Sequence, residues 1–326
     1  MPHAIRFHQT GGPEVLRWEE VEVPAPAAGE VRLRQQAVGL NYIDTYHRSG
    51  LYPVAGGLPS GIGLEGAGVV EAVGEGVTGF AVGDRVAYAH GPLGAYAEVR
   101  NLPADRAVKL PDAISSEQGA AMMLQGLTAQ YLLRRTHRVQ PGETILVHAA
   151  AGGLGSILVQ WGKALGATVI GTVGSDEKAE RVKALGCDHT IVYSREDFVA
   201  RVKEITSGRG VRVAYDSVGK DTFLRTLDCV QRLGLVALFG NASGAVAPFD
   251  PLLLAQKGGL FLTRPILAQY IATRAELDEM AADLFDAVLT GKVRIDVNQR
   301  FALRDAAEAH RALEGRRTTG ASVLLP

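Results

Sequence analysis

Residues 142 to 155 read Gly142-Glu143-Thr144-Ile145-Leu146-Val147-His148-Ala149-Ala150-Ala151-Gly152-Gly153-Leu154-Gly155, and the fold follows from them. Thr144 to Val147 is a short apolar run rich in β-branched residues, the composition of a buried strand. It breaks into small residues and glycines, behind which Ile157, Leu158, Trp161 and Leu165 recur at helical spacing. Strand, tight glycine turn and helix together let backbone N–H groups approach a phosphate, with the positive end of the helix dipole aimed at the same anion. A side chain in that turn would stand in the way, so Ala151, Gly152, Gly153, Leu154 and Gly155 form the expected cradle. The first glycine of the usual G-x-G-x-x-G is Ala150 here, which by itself fits a merely tight β–α turn. A second strand-like run, Thr168 to Val173, follows the Gly166 stop signal, and this βαβ context favours nucleotide binding.

Toward the C-terminus, strand patterns recur at 144–148, 168–173, 189–193, 211–215, 234–239 and 259–263 with helices between, the doubly wound α/β arrangement. After Arg264-Pro265, a long amphipathic helix (Thr273 to Leu289) and short strands (Asn298 to Phe301, Ala321 to Leu325) are too few for a third domain. They are expected to return to the first. Toward the N-terminus, residues 1 to about 125 read as β-rich. Strand-like pieces lie at Ala4 to Phe7, Glu19 to Val23, Glu30 to Val38 and Ala95 to Val99, and Gly83-Asp84-Arg85-Val86 opens another. Valines alternate with glycines from Gly63 to Gly74, as in the curved strands of a small barrel. From Ser115 the period turns helical as far as Leu133, with Ser115-Ser116-Glu117-Gln118 offering N-caps. The expected division is 1–125, completed by 266–326, and 126–265.

The composition fits a well-folded globular protein: 47% hydrophobic and 21% charged residues over 326 positions. A formal net charge of −1 gives no global field to recruit nucleic acid or an anionic membrane. Two cysteines, Cys187 and Cys229, cannot build a disulfide framework, which suits the cytoplasm. The N-terminus has no signal-peptide core, and no apolar run approaches membrane-spanning length.

Gly142-Glu143, Leu146, Ala150-Ala151-Gly152-Gly153, Gly155, Gln160 and Lys163 together resemble the quinone oxidoreductase and ζ-crystallin branch of the medium-chain dehydrogenase/reductase superfamily. Gly63, Glu65, Gly68, Gly74 and Gly83-Asp84-x-Val86 resemble the same superfamily, and Asn41-Tyr42-Ile43-Asp44, Tyr46 and Tyr52 look like that branch's active-site loop. The resemblance extends to Thr263-Arg264-Pro265 and Arg316-Arg317, and the Ala150 departure is normal for the branch. It implies a GroES-like β-rich catalytic domain plus a Rossmann domain, with cofactor and substrate between them. The implied chemistry is hydride or electron delivery from NADPH to a quinone, usually in a homodimer.

The zinc alcohol dehydrogenases of the superfamily carry a cysteine where this chain has Asn41, and Gly-His-Glu where it has Gly63-Leu64-Glu65. Their structural zinc loop needs four closely spaced cysteines, and none occurs between residues 85 and 115. His47 and His90 are isolated and read as surface or loop histidines, so no metal ligand is assigned. Without a Lewis acid or proton relay a simple ketone is a difficult acceptor; a quinone takes a hydride readily because the product is aromatic. An enone or alkenal double bond is the adjacent enzymatic alternative. The ζ-crystallin likeness also brings a structural or RNA-binding role, against which the absence of a basic, aromatic-interleaved patch argues.

Asn41 is read either as orienting the nicotinamide carboxamide or a substrate carbonyl, or as a cap on the helix containing Asp44. Tyr46 and Tyr52 are donors to a quinone oxygen or packing aromatics, and Gln125 and Thr128 either pass the nicotinamide or are ordinary helix residues. Glu65 is catalytic or a buried carboxylate paired with a basic residue; Met122-Met123 is read as core ahead of a substrate platform. Asn241 lies at a carboxyl strand edge, and Ser217, Phe239, Gly240 and Arg317 complete the set expected around the cofactor. Arg264 and Arg316 are phosphate, interface or solvated charges, and Gly234 to Phe239 with Asn241 to Gly244 is a candidate for edge-strand pairing between subunits.

The second Rossmann strand ends Gly171-Thr172-Val173-Gly174, without the carboxylate that grips a ribose 2′-hydroxyl in NAD-preferring domains. Ser175 and Lys178 follow at once, placed for a 2′-phosphate, and Tyr193 stands at the end of the next strand. NADPH is therefore the expected cofactor, with Asp176 and Glu177 as the counter-evidence.

Overall fold

Alternating apolar segments and turn residues give sixteen strands and ten α-helices in the computed structural model, which describes residues 1–326. In chain order the strands are β1 (His3–Phe7), β2 (Arg17–Glu20), β3 (Glu30–Leu40), β4 (Ser60–Gly61), β5 (Glu65–Val73), β6 (Arg85–Ala89), β7 (Val99–Pro103) and β8 (Ala107–Lys109). The nucleotide-type sheet follows with β9 (Thr144–Val147), β10 (Thr168–Val173), β11 (His189–Val192), β12 (Val211–Asp216), β13 (Val230–Leu238) and β14 (Phe261–Thr263). The last pair is β15 (Val297–Ala302) and β16 (Ala321–Leu325). The helices that matter below are α1 (Tyr42–Ser49), α2 (Ser116–Tyr131), α3 (Gly153–Ala164) and α4 (Asp176–Ala184).

The chain divides into two compact units. The first holds Met1–Leu127, Ile271–Phe285 and Ile295–Pro326; the second holds Thr128–Tyr270 and Asp286–Arg294. The boundary falls inside α2, and residues 286–294, within the segment expected to complete the first domain, group with the second unit.

In the first unit a seven-stranded sheet runs β15-β16-β3-β5-β6-β8, with β7 also paired to β3, and a small sheet runs β2-β1-β4. Phe7, Leu33, Ile62, Tyr88 and Tyr96 are fully buried in its core. The expected strand at Ala95 to Val99 is not one: the paired strand is Val99–Pro103. Ala95 to Glu98 instead forms an irregular run pinned by the Gln35 amide, which donates to the carbonyls of Ala95 and Ala97. The strand expected at Glu19 to Val23 is shifted back to Arg17–Glu20, where antiparallel pairing with His3 to Arg6 fixes it.

In the second unit all six strands are parallel, in the order β11-β10-β9-β12-β13-β14. This is the doubly wound arrangement with β9 beside the switch in strand order. β13 starts earlier than expected, at Val230, because a register shift between Val211 and Val213 and a left-handed Leu233 (φ 57°) let the chain pair before the apolar run begins. β13 is flanked by β12 and β14, so Gly234 to Phe239 is not an edge; the edge strand on that side is Phe261–Thr263.

Candidate active site

β9 delivers the chain to the glycine turn. His148 lies just beyond it, 2% exposed, with Nδ1 2.9 Å from Thr172 Oγ1 and Nε2 2.9 Å from Thr226 Oγ1. Burial lowers its pKa, so it serves the turn as a neutral hydrogen-bonding group. Ala149 adopts a left-handed conformation (φ 52°), a cost of about 1 kcal/mol for a residue with a Cβ. Gly152 caps α3 in extended backbone, so Gly153 and Leu154 open the helix. A Cβ on Gly155 would lie 2.3 Å from the Ala149 carbonyl oxygen and 2.8 Å from Ala150 Cα. Both are backbone atoms without rotamers to give, so only glycine closes this turn. The leading N–H groups of α3 have no intrahelical acceptor, and the cradle of Ala151 to Gly155 fits an anionic phosphate.

At the end of β10 the Ser175 hydroxyl oxygen accepts from the Lys178 N–H (3.3 Å) and caps α4, which leaves the hydroxyl hydrogen to donate. Asp176 pairs with Arg195 on the exposed surface, and Glu177 is exposed. The acidic residues that argued against a 2′-phosphate are thus turned to solvent. Tyr193, one residue past β11, is 43% exposed, and a Cβ on Gly174 would lie 2.9 Å from its hydroxyl. At the last residue of β12, Asp216 Oδ1 accepts from the N–H groups of Val218 (2.8 Å) and Gly219 (3.0 Å), and Thr222 and Thr226 donate to the same carboxylate. It ties down the loop that begins at Ser217. Phe239 follows β13, its N–H bonded to the Asp216 carbonyl (2.9 Å), and Gly240 is packed against Ser217. With its amide turned to satisfy both neighbours, Asn241 donates to the Gly240 carbonyl (3.0 Å) and accepts from Arg264 Nη2 (3.3 Å), while Arg264 Nη1 donates to the Leu238 carbonyl (3.2 Å). Arg264 therefore braces the β13 turn. Thr128, 7% exposed, hydrogen-bonds Tyr131, which stacks on Tyr270 at 4.2 Å.

The first unit holds the other candidates. Asn41 follows β3 and caps α1: its N–H donates to Asp44 Oδ2 (2.9 Å) and its carbonyl accepts from the Asp44 N–H (3.1 Å). The side chain does something else. Its Nδ2 donates to Glu65 Oε2 (2.6 Å) and its Oδ1 accepts from Gln125 Nε2 (3.0 Å). The backbone of Asn41 thus makes the expected cap, and its side chain is engaged with Glu65 and Gln125. Gln125 Oε1 is buried without a donor. Glu65 is fully buried, and its second oxygen accepts from the Leu124 N–H (2.7 Å). No basic residue is its partner, so the expected ion pair is replaced by amide donors; burial pushes its pKa up to about 8. Gly39 makes room for this: a Cβ there would lie 2.2 Å from Glu65 Oε2. Tyr46 is 8% exposed and meets Tyr52 edge-on at 5.2 Å. Arg317 is exposed beyond the last helix of this unit, as is Arg316.

A buried polar chain continues from Asp44, which no sequence signal announced beyond the Asn41-x-x-Asp44 capping spacing. Tyr96 donates to Asp44 Oδ2 (2.9 Å) and meets His310 Nε2 (3.1 Å). His310 Nδ1 lies 2.9 Å from Arg48 Nη1, and Arg48 pairs with Glu314 through two bonds of 3.0 and 2.7 Å. Burial pushes Asp44 up to about 7 and, with Arg48 alongside, His310 down to about 3. His90 lies in the loop just past β6, as expected, whereas His47 lies on α1; both are half-buried and shifted toward the neutral form by burial. The two cysteine thiols are buried and pushed up to about 12. No group of three His, Cys, Asp or Glu side chains is gathered as metal ligands.

Residues 27–112 match the alcohol dehydrogenase GroES-like domain and residues 153–281 the zinc-binding dehydrogenase domain. A quinone oxidoreductase from Pseudomonas aeruginosa is 56% identical over the whole of both chains. A 2-haloacrylate reductase from a Burkholderia species is 50% identical over 100% of this chain and 99% of its own. The crystal structure of Escherichia coli quinone oxidoreductase complexed with NADPH superposes with a TM-score of 0.98 at 52% identity, covering 99% of this chain and 100% of that one.

Proposed function

We infer that this chain, which belongs to the quinone oxidoreductase branch of the medium-chain dehydrogenase/reductase superfamily, is an NADPH-dependent quinone reductase. The observation that carries the reading is the cluster of the Asn41 and Gln125 amides with Glu65, in which Asn41 stands where the zinc alcohol dehydrogenases carry a cysteine. Neutral amides orient a ligand by hydrogen bonds; they do not polarise a carbonyl as a metal does. An acceptor that becomes aromatic on reduction needs no such polarisation. When bound, NADPH supplies the hydride. The turn from Ala151 to Gly155 holds its pyrophosphate, Ser175, Lys178 and Tyr193 surround the 2′-phosphate, and Thr128, Ser217, Phe239, Gly240, Asn241 and Arg317 complete the cofactor set. Asn41 and Gln125 orient the reacting rings, and Tyr46 and Tyr52 flank the acceptor and donate to its oxygen.

NADPH oxidation measured against small ortho- and para-quinones tests the reading; a protein inert toward all of them would defeat it. The 50% identity to a 2-haloacrylate reductase is compatible with a second substrate class, activated carbon–carbon double bonds, and the same assay with enones and haloacrylates compares the two. We further propose zinc-independent turnover, from the donor set above; stoichiometric zinc with chelator-sensitive activity would contradict it. A homodimer is proposed through the β14 edge, where Phe261 is 61% and Leu252 58% exposed; a monomeric solution mass would refute this. No helix is long and apolar enough to cross a membrane. We place the protein in the cytoplasm on its two unpaired thiols, and fractionation tests that.

A further inference from the structure

We propose that Glu65 is a positioning residue: it orients the Asn41 and Gln125 amides so that Gln125 offers its carbonyl oxygen to an N–H or O–H donor on the bound ligand. The inference rests on the quinone reductase reading and deepens it by naming what the ligand must present.

The argument begins with a donor that cannot turn. The Leu124 N–H belongs to the helix backbone and points at Glu65 Oε1 from 2.7 Å, so that oxygen must accept. The other oxygen, Oε2, then decides the rest. As a carboxylate oxygen it also accepts, which draws Asn41 Nδ2 to it at 2.6 Å and turns Asn41 Oδ1 the other way. Oδ1 in turn draws Gln125 Nε2 at 3.0 Å. Gln125 Oε1 is left buried with no donor, an arrangement that costs about 1–3 kcal/mol unless a ligand supplies one. Each amide has one donor end and one acceptor end, so the orientation set at Glu65 passes undiminished to Gln125.

Protonation reverses the sequence. With Oε1 held by the backbone, the proton must sit on Oε2 and donate to Asn41 Oδ1. Asn41 turns, Gln125 follows, and Gln125 presents Nε2 to the ligand in place of Oε1. Burial brings this equilibrium to about pH 8. The other titratable groups around Glu65 are Asp44 on α1, Tyr88 on β6 with Arg100 beside it, and Tyr96. Of these, Asp44 also titrates near neutrality, at about 7, and any measurement must separate it.

Glu65→Gln does so. Its carbonyl must face the Leu124 N–H, so its NH2 faces Asn41 and the reversed orientation becomes permanent, while Asp44 is untouched. Adding Gln125→Glu restores an acceptor toward the ligand, because one carboxylate oxygen takes the Asn41 NH2 and the other faces outward. Gln125→Glu alone sets a carboxylate against Asn41 Oδ1 and is expected to weaken binding. The experiment measures the dissociation constant of NADP⁺ and the inhibition constant of a small para-hydroquinone, held anaerobically, for these four proteins from about pH 6 to pH 9.5, with melting temperatures as the control for folding. At high pH, E65Q is expected to weaken ligand binding about tenfold, the worth of one hydrogen bond. The wild type falls toward E65Q as pH drops through about 8, the single mutant stays flat there, and E65Q/Q125E recovers. Repeating the binding arm with the 3-acetylpyridine analogue of NADP⁺, whose ring substituent has no N–H, locates the donor. If the E65Q effect vanishes, the donor is the cofactor carboxamide; if it persists in the hydroquinone inhibition constant, the donor is a quinol hydroxyl. E65Q equal to wild type at high pH in both constants, or a double mutant no better than E65Q, overturns the proposal. A wild type that binds NADP⁺ but turns over no quinone would sink the function reading and leave the binding arm to judge Glu65.

Discussion

The glycine turn of the second unit and the amide cluster of the first are both proposed to hold parts of one reaction, yet they are built from different material. The turn is backbone: consecutive residues from Ala149 to Gly155, in which the decisive fact is that no Cβ fits at Gly155. The cluster is side chain: Asn41, Glu65 and Gln125 come from three separate elements and meet only because β3, β5 and α2 do. A backbone site is fixed by local sequence and is indifferent to pH. A side-chain site is fixed by tertiary packing and carries groups that titrate.

Gly155→Val is the most severe break of the first kind. The added Cβ would meet backbone oxygen and carbon at 2.3 and 2.8 Å, so β9 and α3 must separate. We expect loss of more than about 3 kcal/mol of stability, as overpacking at backbone goes beyond the usual range, and no measurable NADPH binding. A well-folded Gly155→Val protein that binds NADPH normally would show that the turn is not the cradle.

Arg48→Met strikes the other site at its far support. The guanidinium is 3% exposed, and it serves Glu314, His310 and the Gly11 carbonyl at once. Removing it leaves those acceptors without their donor. Glu314 is partly exposed and regains water, so about 2–3 kcal/mol is expected, below the full cost of breaking a buried pair. Urea unfolding measures it; a loss under about 0.5 kcal/mol would mean the polar chain from Asp44 is decorative.

This contrast also explains what was legible in the sequence. The parallel sheet announced itself because each of its strands is a local apolar run and the turn is a local spacing. The Ser115-x-x-Gln118 cap of α2 was readable for the same reason, and both of its bonds form (3.1 and 3.2 Å). Ala95 to Val99 misled because its alternation is that of a strand, while Gln35, some sixty residues away, takes its carbonyls. Asn41 was identifiable as a site residue but its partners were not: nothing near Glu65 in sequence indicates that Leu124 and Asn41 would replace a basic partner. Arg48, His310 and Glu314 carried no signal at all, being ordinary helix residues until packing joins them.

The pH dependence of stability separates the two sites more finely. Asp44 and Glu65 have native pKa values raised to about 7 and about 8, above their unfolded values of 3.8 and 4.5. Between the unfolded and folded values the native state binds more protons, so stability must fall as pH rises through that window. His310, His47, His90 and His148 are lowered and act oppositely, but their contribution is complete once pH exceeds the ordinary 6.5. From about pH 6.5 to 8 only the carboxyls remain, and a decline on the order of 1 kcal/mol per pH unit is expected, with E65Q showing the shallower slope. Stability that rises across this interval would mean these carboxyls are ionised in the native state throughout.

The most selective effect is expected at the one place where the backbone site depends on a side chain. The turn itself treats NADH and NADPH alike, since both carry the same pyrophosphate. Discrimination must come from the β10 end, where Gly174 replaces a carboxylate and Ser175 and Lys178 begin α4. Asp176 is held by Arg195, so the nearest acid does not repel a 2′-phosphate, and Arg195 is brought to the same end of the sheet. Lys178→Ala removes one charge-assisted contact, worth about 1.5–3 kcal/mol, so the KM for NADPH should rise at least tenfold. The N-cap survives, because Ser175 bonds the backbone N–H of residue 178 and not its side chain. NADH, with a hydroxyl in place of the phosphate, should be used as before, and the preference for NADPH should shrink by the same factor. If both cofactors lose equally, Lys178 supports the helix and not the phosphate. If neither changes, the phosphate is held by Ser175, Tyr193 and Arg195 without it.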